Sequence, residues 1–199
     1  MHAREARGQA KQNHRDMMAL LTSFGQNGFK HRREATKRLR AIVSEIYSAP
    51  RVTAMARRRS RLEMIPGLAL DVTVNDERGV PWDFNEPEQR KRAEAMLDEQ
   101  KPLLLIGSPM CTAFSNIQNL NKARRDPEIV KAEIEKARTH LKWCCHLYRK
   151  QVERGAYFLH EHPAAATSWK LPEVEELLAM DSVTRVVADQ CLYGQTTDE

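Results

Sequence analysis

Four consecutive apolar residues, Leu103-Leu104-Leu105-Ile106, follow Pro102 and stop at Gly107. The run is far too short to cross a bilayer, which takes roughly 20 residues. It also lacks the alternation that would leave one face in water. A strand of this kind has to be covered on both sides, as the central strands of parallel sheets are. Parallel neighbours need crossover helices, so this segment commits the chain to alternating strands and helices.

The flanking sequence supplies that alternation. Residues 41–47 read as a first strand, ended by Ser48-Ala49-Pro50. Residues 52–64 read as a basic helix closed by Pro66-Gly67, and residues 68–72 as a short second strand. Residues 86–100 form a helix with Pro87 at its start, where a missing N–H costs nothing. Asp126-Pro127 opens a long helix to Arg154, with Ile134, Ala137, Leu141, Cys144, Tyr148 and Val152 on one apolar stripe and Gly155 as terminator. Residues 156–159 read as a strand, residues 171–180 as a short helix, and residues 185–188 as a last strand. The expected fold is α/β, a Rossmann-like, open and mostly parallel sheet with flanking helices. Ligands of such sheets bind beyond the carboxyl ends of the strands. Glu45 to Pro50, Asp71, Asp83, Ser108 to Ser115, Glu161 to Pro163 and Asp189 to Gly194 fall there.

A chain of 199 residues fits one domain, and 41% hydrophobic with 30% charged residues excludes a disordered or fibrous one. No apolar block marks a signal peptide or a membrane span. Four cysteines, two of them adjacent, are no disulfide framework. They point to a reducing, intracellular setting, cytoplasmic or nuclear. Residues 1–40 carry ten Lys/Arg against three Asp/Glu, which exceeds the +5 of the whole chain. They form a basic arm, helical or partly disordered, before a domain at residues 41–199. Arg57, Arg58 and Arg59 add a second cationic block. Clustered cation suits phosphate contacts, although a solvated helix would look the same.

The segment with most chemical content is Gly107-Ser108-Pro109-Met110-Cys111-Thr112-Ala113-Phe114-Ser115. A cysteine just beyond a buried strand, held by glycine and proline, is presented to a cleft as a nucleophile has to be. A lone buried structural cysteine is the competing reading. His140, Cys144, Cys145 and His146 share one helix with His160 and His162 nearby, but no Cys-x-x-Cys pair is present and Cys144 lies on the apolar stripe. Core packing is therefore expected there, and no metal. Trp143 and Trp169 are expected to pack, Trp169 close enough to the Glu161 loop to roof a site.

The Gly-Ser-Pro-Met-Cys-Thr-Ala-Phe-Ser segment resembles the Pro-Cys loop of the DNA cytosine-5 methyltransferases. His160-Glu161-His162-Pro163 resembles that family's Glu-Asn segment, and Tyr193-Gly194-Gln195 resembles the start of its later Tyr-Gly motif. The three stand in the family's order across residues 41–195. The resemblance implies a class I methyltransferase fold with S-adenosylmethionine as cofactor and DNA, or else RNA, as partner. Cys111 would add to C6 of an extruded cytosine while Glu161 holds N3. Glu45, Ser48, Asp71, Asp83, Ser108 and Pro109 would surround the cofactor, with Asp71 taking the ribose and Asp83 the adenine amino group. Arg57, Arg58, Arg59, Ser115 and Gln118 would contact nucleic acid. Cys111, Glu161 and Asp71 should then border one cavity.

The pattern departs from the family at named places. Tyr47-Ser48-Ala49-Pro50-Arg51-Val52, the first loop, holds no glycine; Met110 replaces a proline and His162 an asparagine. The chain stops where the family continues into target recognition. That implies a C-terminally incomplete domain, from a larger polypeptide such as a phage or mobile-element product, or a reduced relative. Two alternatives stay open: an inactive nucleic-acid-binding or mobile-element accessory module of the same fold, and an unrelated thiol-dependent α/β enzyme pairing Cys111 with His160 or His162.

Overall fold

The computed structural model describes residues 42–57, 64–120 and 124–189. The basic arm, Arg58, Arg59, the Arg57 side chain and Tyr193-Gly194-Gln195 lie outside what it describes. Among the described residues eight elements make up the α/β part. They are β1 (Ile42–Ile46), α1 (Val52–Arg57), β2 (Ile65–Leu70), α2 (Pro87–Gln100), β3 (Leu104–Gly107), α3 (Pro127–Glu153), β4 (Tyr157–His160) and α4 (Pro172–Leu178). The four strands form an all-parallel sheet in the order β2-β1-β3-β4. This is the Rossmann-like open sheet with flanking helices that the apolar β3 run demands. Among the described residues no helix is long and apolar enough to cross a membrane.

The order places a crevice where it matters. The chain moves outward from β1 to β2, then crosses back to β3 on the other side of β1. The carboxyl ends of β1 and β3 therefore flank the point where the direction of winding reverses. Ser44, in the middle of β1, is fully buried and satisfied: its hydroxyl donates to Gln100 Oε1 at 2.5 Å and accepts from the Leu68 amide at 3.2 Å. α2 and α3 lie side by side, tied by Lys150 to Glu94 and Asp98 at 2.7 and 2.5 Å. Beneath them Ile46, Leu97, Leu105, Leu141, Cys144 and Tyr148 form the core.

Two expectations need correction. Pro66-Gly67 does not close a helix but lies inside β2, which begins at Ile65; α1 is described only to Arg57. Among the described residues β2 is an edge strand, where a proline's missing donor is tolerated. The pairing with β1 slips by one residue between Val43 and Glu45, so the strand bulges around Gly67. A Cβ there would meet Ser44 Oγ, Gln100 Oε1 and Ile42 Cγ2 at under 3 Å. The second correction concerns residues 185–188, which form no strand. Val186 and Val187 are exposed, and no backbone hydrogen bond within the described residues reaches Phe158 or His160 on the outer edge of β4. β-branched residues suit a strand, but composition does not supply a partner.

Gly107 shows how closely α3 approaches. A Cβ at this position would sit 1.9 Å from Tyr148 Oη and 2.9 Å from its Cζ. Tyr148 has no room to withdraw, being fully buried and stacked on Phe158 at 4.6 Å. Gly107→Ala is therefore expected to destabilise the fold by roughly 1–3 kcal/mol, as overpacked cores do. Urea titration of G107A, Y148F and the double variant checks this: removing the hydroxyl should recover part of the loss, and strict additivity would refute the clash.

Candidate functional site

The turn after β1 is built without glycine. Tyr47 takes the left-handed conformation itself, at φ 53°, and its amide donates to Leu70 O at 2.9 Å. That conformation ordinarily favours glycine. Glu45 organises the rest of the turn. It is 1% exposed, and its carboxylate accepts from the amides of Arg51, Val52 and Thr53 at 3.4, 3.1 and 2.7 Å. The hydroxyls of Ser48 and Thr53 donate to it at 3.1 and 2.6 Å. A buried carboxylate is tolerated when its lone pairs are used in this way. Glu45 and Ser48 thus hold the turn in place from within.

A hydrogen-bonded chain that the sequence does not announce links the β1 end to α3. Asp83 Oδ1 accepts from the amide and side-chain nitrogen of Asn85 at 2.9 and 2.5 Å. That leaves Asn85 Oδ1 facing His140 Nε2 at 3.0 Å, so this nitrogen carries the proton. His140 Nδ1 then accepts from the Tyr47 hydroxyl at 2.7 Å. Burial lowers the His140 pKa, assisted by Arg90 and Lys136, and burial raises that of Tyr47. Both groups stay neutral. Phe84 and Trp143 enclose the Tyr47 ring at 4.8 and 6.0 Å, so Trp143 packs. Tyr47 belongs to no motif, and His140 draws notice in the sequence only as one of the helix's His/Cys cluster; the signal for pairing them is position, one following β1 and one on the stripe side of α3.

These two side chains line a cleft of about 450 Å³ together with Met110, Thr112, Ala113 and Gln118 of the Pro-Cys loop. Val130, Ile134 and Ala137 of α3 give it an apolar wall, and Arg125, Glu133 and Lys136 give it charge. Its volume lies in the range of small-molecule sites, roughly 300–1,000 Å³. It sits at the β1/β3 reversal, as open parallel sheets favour.

The other expected residues are more scattered. Cys111 is half-buried and unbridged, at the start of a 3-10 turn at Thr112–Phe114, between two cleft-lining neighbours. Its own side chain, Glu161 and Asp71 are not on the cleft lining, so the three do not share it. Ser108 and Pro109 join β3 to the turn: the Ser108 amide donates to Ile46 O at 3.2 Å, and Pro109 is buried. Ser115 accepts from the Ile117 amide at 3.3 Å. Asp71 uses Oδ1 for the amide and hydroxyl of Thr73, at 3.0 and 2.6 Å. Glu161 is exposed, and its amide donates to Gly107 O at 3.1 Å. Cys144 and Cys145 pack in the core, where burial pushes the Cys145 thiol up to about 12. His146 binds Glu94 at 2.9 Å. Trp169 packs edge-on against His160 and donates to Pro163 O, with the Arg185 guanidinium 4.2 Å from its ring centre.

Three histidines are held neutral. Burial and the neighbouring His162 bring His160 down to about 3, while burial lowers His162 and His140. In the unfolded chain each titrates near 6.5. The fold therefore binds fewer protons than the unfolded state between these values. The His160 share of stability is whole above about pH 6.5 and drains as pH falls toward about 3, by up to about 1.4 kcal/mol per pH unit, and His140 and His162 act in the same direction. Urea midpoints measured from pH 7.5 to 5 should fall, and His160→Gln should make the decline shallower; parallel curves would refute it. No family model, curated protein or solved structure matches the chain, so a functional reading has to stand on this geometry.

Proposed function

We propose that this domain methylates cytosine at C5 in nucleic acid, DNA in the first instance, through a thiolate adduct. One observation carries the reading. β3 and β4 are adjacent, parallel and in register, Gly107 against His160, so the Cys111 loop and Glu161 leave neighbouring strand ends beside the sheet's reversal point. The chemistry needs a thiol and a carboxyl at one base edge, and these two loops are where the chain carries them.

Cytosine C5 is a poor nucleophile while the ring is aromatic. Addition of the Cys111 thiolate to C6 breaks that aromaticity, and Glu161 at N3 hydrogen-bonds or protonates the ring as charge moves onto it. C5 would then bond to a methyl carbon as that carbon's bond to the donor sulfur breaks and leaves its electron pair on sulfur, and loss of the C5 proton to water with expulsion of the thiolate would restore the ring. S-adenosylmethionine, when bound, supplies that methyl group as a sulfonium electrophile. The residues present are compatible with such a group. The Tyr47 amide is joined to the end of β2, which places the β1 turn beside Asp71, and Asp71 Oδ2 takes no hydrogen bond among the described residues. Asp83 reaches the Tyr47 hydroxyl through Asn85 and His140. Asp71 and Asp83, neither of them on the cleft lining, would hold the nucleoside part from beside the turn that Tyr47 opens, while Glu45 and Ser48 keep the turn rigid.

A second reading is favoured by one fact. The amides of Arg51, Val52 and Thr53, which a glycine-rich loop would offer to a cofactor, are taken by Glu45. A module that keeps the fold and binds nucleic acid without catalysis would tolerate this.

Calorimetry with S-adenosylhomocysteine should show binding that Asp71→Ala weakens about tenfold or more, in line with loss of a charge-assisted hydrogen bond. A 5-fluorocytosine oligonucleotide with S-adenosylmethionine should give a covalent adduct that Cys111→Ser abolishes and Glu161→Gln slows by about 100-fold or more. Nucleic-acid binding with a steep salt dependence but no cofactor affinity would replace the first reading by the second.

A further inference from the structure

We propose that His162 is a positioning residue for Cys111, a role that rests on the thiol chemistry proposed above. Four hydrogen bonds stitch the loop after β3 to the segment after β4. The Glu161 amide donates to Gly107 O at 3.1 Å, His162 Nε2 to Pro109 O at 2.9 Å, Thr167 Oγ1 to Phe114 O at 3.1 Å, and Asn116 Nδ2 to Ala165 O at 2.9 Å. Of the four, the His162 bond lands nearest to Cys111, on a carbonyl two residues before it.

The chemistry of that bond fixes the ring. A carbonyl can only accept, so His162 Nε2 carries the hydrogen and Nδ1 is left to accept from the Ser168 hydroxyl at 2.8 Å. Ser168 is 1% exposed and His162 9%, so water competes poorly for either bond. Phe114 and Trp169 flank the imidazole at 6.1 and 6.3 Å between ring centres, and His160 lies 4.7 Å away.

The consequence falls on Cys111. Pro109 is buried and its ring fixes its own φ, while the next residue, Met110, is 69% exposed. The chain turns outward at the clasped carbonyl. With the Pro109–Met110 peptide plane held at one end and Phe114 O at the other, Cys111 is presented from one loop geometry rather than a range of them. An error of about 1 Å in such placement costs on the order of 100-fold in rate. His162 therefore acts through the loop, with two bonds from one ring, and touches no reacting atom.

The test compares the full chain with His162→Ala and His162→Gln by two measurements. Iodoacetamide labelling, resolved by peptide mass spectrometry, should show Cys111 reacting at least about fivefold faster in H162A, as local opening allows. Cys144 and Cys145, buried in the core, should stay protected. Adduct formation with a single-stranded 5-fluorocytosine oligonucleotide and S-adenosylmethionine should fall by about 100-fold in H162A. In H162Q, whose amide can donate to the same carbonyl, both values should return to within about threefold of wild type. Unchanged Cys111 labelling in H162A overturns the proposal. So does labelling of Cys144 and Cys145 in step with Cys111, which would make His162 a general stabiliser. If the wild-type chain forms no adduct, the methyl-transfer reading fails, and the labelling comparison still decides whether His162 sets the Cys111 loop.

Discussion

The contact between Gly107 and Tyr148 governs the distance between the sheet and α3, the longest of the described helices. The strand gives up a side chain at its last position, and a phenol ring from α3 fills the space. Because that ring also stacks on Phe158 and meets His160 at 3.2 Å, it fixes β3, β4 and α3 together. The Pro-Cys loop leaves from one of these strands and the His-Glu-His segment from the other. Their mutual placement is thus decided beneath them, in the core, before any polar contact between the loops is made.

What could be read from the residues depended on how strongly each segment relies on burial. β3 was legible because an uninterrupted apolar run has one comfortable environment. α2 and α3 were legible because proline starts, an Asp126 cap and Gly155 bracket them; Asp126 does accept from the Glu128 amide at 2.8 Å, and Gly155 adopts φ 71°. Pro66-Gly67 misled because punctuation is ambiguous. The same pair ends a helix or loosens an edge strand, and only the Ser44–Gln100 pair pressing on Gly67 decides between them. The run at residues 185–188 misled because strand propensity is a statement about packing partners that a short window does not contain.

The candidate site divides along the same line. Cys111, Glu161, Asp71 and Asp83 stood out since each is a reactive or charged residue in a loop that follows a strand, a local property. The Tyr47–His140–Asn85–Asp83 connection was invisible: its members are separated by 93, 55 and 2 residues, and nothing in the sequence joins them. The missing glycines of the first loop looked like a defect in the sequence. In the structure the left-handed Tyr47 and the fivefold-bonded Glu45 shape that turn instead, so the absence of a signature marks a different way of making it.

The two margins of the sheet are unlike each other, and this makes the domain polar as a building unit. At β2 a proline and a bulge spoil the regular ladder of donors and acceptors. At β4 the backbone is regular, and Tyr157 and Leu159 face outward at 65% and 54% exposure. Among the described residues the regular edge, next to the His-Glu-His loop, is therefore the one that offers an unbroken ladder of donors and acceptors to a further strand.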